Sequence, residues 1–111
     1  MKNELTAYEA THANHFGYSD TNPFEIIRVI SEKTIEIRRM DAERDFTPNI
    51  VPGGFSGHCT NNTESEQKWK ITSDETARVI RIRKGKKGWR DANGNSYGLD
   101  TKPRKFYDYN F

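Results

Sequence analysis

The chain lacks almost everything that identifies a protein at once. It has a single cysteine, Cys59, so no internal disulfide can form and a disulfide-stapled secreted module is excluded. No apolar run reaches the length needed to span a bilayer. The opening MKNELTAYEA has no apolar stretch of signal-peptide length, so the expected location is the cytoplasm, with no membrane partner. There is no Gly-Lys-Ser/Thr unit and no G-x-G-x-x-G, which excludes a P-loop and a dinucleotide fingerprint. Neither C-x-x-C nor H-x-x-x-H occurs, so no standard zinc spacing is present. Apolar residues are scarce as well: 32% of 111 residues, against 31% charged, with a mean hydropathy of -1.00. Such a balance approaches the compositions that stay unfolded.

What offsets the shortage is the kind of apolar residue. Six Phe, five Tyr and two Trp bury a large area per residue, so the expected core is small and aromatic-rich. The length suits one domain, residues 1–111. Within it, residues 1–17 read as a lead-in. Leu5, Tyr8 and His12 have helical spacing, which fits a short helix or an irregular segment. Phe24 to Ile30 (FEIIRVI) and Thr34 to Arg39 (TIEIRR) read as two strands of a hairpin, antiparallel because a parallel link needs a dozen residues or more. Residues 41–66 read as a long polar loop, held to the body by Ile50, Val51 and Phe55. Gln67 to Thr72 and Ala77 to Arg83 are further strands, with Ser73-Asp74-Glu75 as a hairpin turn between them. Trp89-Arg90 begins a short strand, Asp91-Ala92-Asn93-Gly94 is a tight turn, and Asn95 to Leu99 returns from it. The ending KFYDYNF carries four aromatics and is expected to close the sheet or pack across its mouth. The fold class is therefore mainly β, a small antiparallel SH3-like barrel of five or six strands, with an open curled sheet plus one helix as the alternative.

Charge is unevenly spread. Residues 1–55 hold six basic and nine acidic side chains; residues 56–111 hold twelve and seven. The densest run is RVIRIRKGKKGWR, which places Arg78, Arg81, Arg83, Lys84, Lys86, Lys87 and Arg90 within thirteen residues and no acid among them. Several cations on one surface suit a polyanion, because binding releases counterions. Trp89, Tyr97 and Tyr107 are candidate stacking platforms for unstacked bases. The competing expectation is a solvated face balanced by Glu36, Asp41 or Glu43.

Three other groups qualify as candidates. His12, His15, His58 and Cys59 contain the atoms of a four-ligand zinc site, although adjacent His58 and Cys59 are awkward partners. Cys59 with a histidine is also the minimum for a thiol enzyme. The loop Pro52-Gly53-Gly54-Phe55-Ser56-Gly57-His58 has glycines that admit close ligand approach, and its amides suit an anion; Gly53, Gly54, His58 and Cys59 are its site candidates. Asp41, Glu43 and Asp45 read as a solvated acidic patch.

The segments IIRVISEKTIEIRRMDAE, PNIVPGGFSGHCTNN, RKGKKGWR and PRKFYDYNF together resemble small uncharacterised proteins of tailed bacteriophages and their prophages, over roughly residues 18–111. The resemblance implies no activity and no catalytic residue. It implies a setting, a bacterial cytoplasm, in which small accessory proteins bind nucleic acid or obstruct a host protein. The expectation is thus a non-enzymatic binding module for DNA or RNA, or alternatively an inhibitor of a host protein, without a cofactor. Monomer and homodimer both fit.

Overall fold

The computed structural model describes residues 5–51, 58–59, 62–63 and 66–109. Ten strands follow in chain order: β1 (His12–Phe16), β2 (Thr21–Asn22), β3 (Phe24–Ser31), β4 (Thr34–Arg44), β5 (Ile50–Val51), β6 (His58–Cys59), β7 (Trp69–Ser73), β8 (Val79–Gly85), β9 (Gly88–Arg90) and β10 (Ser96–Asp100). Six of them, in the order β1-β10-β9-β8-β4-β3 and back to β1, form a closed antiparallel barrel. β2 adds to β1 and β7 adds to the far half of β4, while β5 and β6 pair separately. This is the small SH3-like barrel expected from the strand pattern, closed so that hairpin edges are not left open.

Alternation builds the barrel wall. Ile35 and Ile37 on β4 and Ile82 on β8 are fully buried, and they face each other in register as Ile35↔Ile82 and Ile37↔Ile80. Ala13, Trp89 and Tyr97 bring β1, β9 and β10 into the same cluster, with Phe24, Ile26, Val29, Ile80 and Leu99 packed around it. Every wall strand therefore contributes an inward side chain. β3 manages this despite an irregular pattern. Its core residues Phe24, Ile26 and Val29 are not all two apart. Register shifts between Ile26 and Arg28 and between Val29 and Ser31 absorb the extra residue, as bulges do. They leave Ile27 and Ile30 on the outside, each 42% exposed.

Several sequence expectations change. No helix occurs among the described residues. The segment expected to be helical makes a single turn instead. Thr6 and Glu9 exchange side-chain bonds with each other's backbone amides, Thr6 N to Glu9 Oε1 at 2.9 Å and Glu9 N to Thr6 Oγ1 at 3.3 Å, a capping box. From His12 the chain is extended, so residues 1–17 are not a mere lead-in: β1 pairs along β10 from His12↔Asp100 to Phe16↔Ser96. The polar passage 41–66 is not one loop either, because β4 continues to Arg44 and β5 and β6 lie within it. Nor is Ser73-Asp74-Glu75 a hairpin turn. β7 runs beside Arg44 to Met40 and β8 runs beside Arg38 to Thr34 in the same direction, so the residues between them are an excursion from one long path along β4.

Candidate polyanion cleft

The β8–β9 hairpin turns at Lys86-Lys87 and closes with Gly88 at φ +89°, a left-handed conformation that glycine adopts without steric cost. Its register decides what the basic run presents. Arg83 lies directly opposite Arg90, and opposite Thr34 on the other side. Both arginines are exposed. Like charges facing each other across strands are destabilising, and neither arginine is ion-paired among the described residues. The Arg90 Nη1 donates to the carbonyl of Gly94 at 2.9 Å. The Arg83 guanidinium has no hydrogen-bond or ion-pair partner among the described residues, and neither has the ammonium of Lys86 or Lys87.

The hairpin opens into a cleft of about 620 Å³ lined by Arg81, Arg83, Lys84, Lys86, Lys87 and Arg90, with Asp91 the one acid among the described lining residues. Two of these charges are offset. Glu36 on β4 bridges Arg81 of β8 and Arg28 of β3, each at 3.1 Å, which is the balancing role the sequence suggested for it. Asp91 is committed to the next turn. Its Oδ1 accepts the amides of Asn93 and Asn95, and its Oδ2 accepts Asn95 Nδ2 and the Tyr97 hydroxyl, all at 2.9–3.0 Å. Burial works to raise the Asp91 pKa, but these donors outweigh it and hold the carboxyl below its ordinary range. Burial, together with the bond to Asp91, pushes the Tyr97 phenol up.

The stacking platforms expected beside the cations do not form. Trp89 is 7% exposed and Tyr97 6%. Alternation is the reason: with Gly88 and Arg90 outward, Trp89 points into the barrel, and Tyr97 faces it across β10. Tyr107 is exposed but lies away from the cleft, on the tail. Arg78 precedes β8 and does not line the cleft.

The metal candidates are not gathered into one cluster among the described residues. His12 and His15 sit three apart on a strand, not a helix, so they project to opposite faces. His15 lies against Tyr97 and Phe24 at ring distances of 5.4 and 6.4 Å. His12 bonds Thr11 at 2.8 Å, and burial lowers its pKa against the opposing charges of Glu25 and Asp100. Cys59 is 2% exposed and pairs with Ile50, which closes its sulfur to solvent. Gly53, Gly54 and the side chain of His58 lie outside the described residues. Among the described residues no group of three or more His, Cys, Asp or Glu is arranged to hold a metal ion.

The structure also assembles a polar cluster that sequence reasoning missed. Residues 102–109 run across the barrel with one backbone bridge, Thr21↔Phe106. Beside the Asp100–Arg104 ion pair and the Asp20 carboxylate that accepts the Asp108 amide, the tail is held by side-chain amides acting as surrogate backbone. Asn14 donates to the carbonyl of Lys102 and accepts the amide of Arg104. Gln67, 6% exposed, donates to the Tyr107 carbonyl at 2.7 Å and to Asn62, and its oxygen accepts the Tyr107 amide and Trp69 Nε1. Asn62 accepts the Tyr109 amide and donates to Asp108. Beside them Phe46 meets Trp69 and Tyr109, and Lys105 Nζ lies 5.4 Å from the Trp69 ring centre. Asn14, Asn62 and Gln67 carry no sequence motif. The turn that presents Gln67 does: in Thr63-x-x-Glu66 the Thr63 hydroxyl accepts the Glu66 amide and donates to the Glu66 carboxylate, the first half of a capping box. A smaller cavity of about 340 Å³ lies under the tail, lined by His15, Tyr18, Asp20, Asn22, Tyr107 and Asp108.

No protein-family model matches the chain, and neither a curated protein nor a solved structure matches it significantly. No helix among the described residues is long and apolar enough to cross a membrane.

Proposed function

We propose that this barrel is a non-enzymatic binding module whose β8–β9 hairpin holds the phosphate backbone of DNA or RNA. The observation that carries the reading is the Arg83–Arg90 pair: two like charges in direct cross-strand register, paired with no acid among the described residues, at an open cleft with Lys84, Lys86 and Lys87. Local repulsion of this kind is retained where a function needs it, and an anion from outside relieves it. With Trp89 and Tyr97 turned inward, contact runs through phosphates, not stacked bases, and is insensitive to sequence. A phage or prophage setting in a bacterial cytoplasm belongs to the same proposal.

The test is titration with fluorescent duplex and single-stranded oligonucleotides at two salt concentrations. The expected result is affinity for both that falls steeply with salt, with a log–log slope near -0.9 per duplex phosphate contacted and about -0.7 for single strands. Absence of binding at low salt contradicts the proposal.

A second reading, a module that docks on a host protein, is favoured by one observation. Ile27 and Ile30 on the outside of β3 and Val79 on β8 are each 42% exposed, and apolar side chains left outside a barrel suit a protein partner. Charged replacement of Ile27 and Ile30 separates the two readings, since it abolishes protein capture and leaves oligonucleotide binding intact.

A further inference from the structure

Gly85 is among the residues that line the cleft, yet neither its φ nor its packing requires a glycine. It ends β8. By alternation it follows Arg81 and Arg83 on the outward face. Its partner Gly88 needs a left-handed φ, but Gly85 does not; only Gly88 and Gly94 have positive φ among the described residues. A Cβ placed on Gly85 meets nothing within 4 Å. Gly98 shows the contrast, because a Cβ there falls 2.6 Å from the Phe16 ring, so packing explains that glycine. Gly85 stands at the end of its strand, directly before the turn; with no packing contact at its Cβ position, it leaves the main chain open to close approach by another backbone.

We infer that Gly85 leaves this part of the cleft bare so that a phosphodiester backbone lies directly on the main chain between Arg83 and the Lys86-Lys87 turn. This rests on the phosphate-binding reading of the cleft and sharpens it. The cations supply attraction at the walls, and the missing side chain supplies the short approach. The ligand it fits is a duplex whose bases stay stacked, since Trp89 and Tyr97 are both turned into the barrel.

The experiment compares the wild type with Gly85→Ala, Gly85→Val and the Arg83→Ala/Arg90→Ala double variant, using a short DNA duplex and linear polyphosphate as probes and thermal unfolding as the control. Gly85→Val is expected to unfold no earlier than the wild type, because valine favours strands, and to bind duplex about tenfold more weakly, with Gly85→Ala between. Duplex binding by Gly85→Val equal to the wild type, while the arginine double variant loses affinity, overturns the inference and leaves the reading of the cleft standing. Earlier unfolding of Gly85→Val also overturns it, by showing that the fold needs the glycine. Undiminished binding by the double variant removes the reading and the inference together. Tighter binding of polyphosphate than of duplex overturns the choice of a nucleic acid as the source of phosphate.

Discussion

The tail clamp and the basic cleft are built from the same scarce material, polar side chains on a barrel with a small core, and they treat it in opposite ways. At the clamp each amide is hydrogen-bonded through both its nitrogen and its oxygen. Gln67 makes four hydrogen bonds with both ends of its side chain, which exhausts its two donor hydrogens and two of its acceptor positions. At the cleft, Arg83 and Arg90 are set against each other, and Lys86 and Lys87 have no carboxylate partner among the described residues. The contrast separates polar groups that hold the protein together from those left for something outside it. Saturated, buried polar groups are costly to disturb. Exposed charges without a carboxylate partner contribute little to the fold and can be removed at small cost to it.

The largest effect should come from the clamp. Gln67→Leu keeps the volume but strands Trp69 Nε1 and both polar groups of Tyr107, and should destabilise the protein by about 2–3 kcal/mol. Thermal unfolding reads this out, and a neutral result would mean that water replaces the amide and that the tail is not clamped. Asn62→Ala, which releases the Tyr109 amide and Asp108, should cost about 1–2 kcal/mol.

The next effect lies at the border of the cleft. Asp91 has a folded pKa below its unfolded value, so the unfolded chain takes up the proton first on acidification. Its contribution is fully present above about pH 4, the ordinary Asp value, and is lost as pH falls through the lower, folded value. Asp91→Asn should therefore be less stable than the wild type by about 1 kcal/mol at neutral pH, with the difference shrinking below about pH 4. A gap that stays constant with pH would place the role of Asp91 in shape rather than charge. The smallest stability effect belongs to Lys86→Ala/Lys87→Ala, within about 0.5 kcal/mol of the wild type. The same variant should flatten the salt slope of duplex binding by roughly 2, about 0.9 for each phosphate no longer neutralised. An unchanged slope would place the phosphates elsewhere.

Much of the barrel is legible because its wall strands alternate. Ile35-Glu36-Ile37 and Ile80-Arg81-Ile82 declare their faces, and the hairpin turns carry Gly88 and Gly94 where a left-handed residue is needed. β1 is hidden. HANHF has one small inward apolar residue, Ala13, and its neighbours Leu5 and Tyr8 suggest a helix that the chain leaves after one turn. Its strand character comes from pairing with β10, more than eighty residues away, as the His12↔Asp100 register shows. The tail is half legible: its aromatics announce packing, but Asn14, Asn62 and Gln67 act over sequence separations that leave no local pattern. In the cleft the cations stand in plain view, and their pairing does not. The inward turn of Trp89 departs from expectation although its signal is present, since an outward Arg90 obliges its neighbour to face inward.

In Arg83→Ala/Arg90→Ala, stability and duplex affinity measured together separate a functional pair from a structural one. Removing a repulsive pair from an exposed strand should leave the melting temperature equal to or above that of the wild type, while affinity at low salt falls by about a hundredfold. A variant that melts earlier and binds duplex as tightly as the wild type would show that these arginines serve the fold, and would contradict the account.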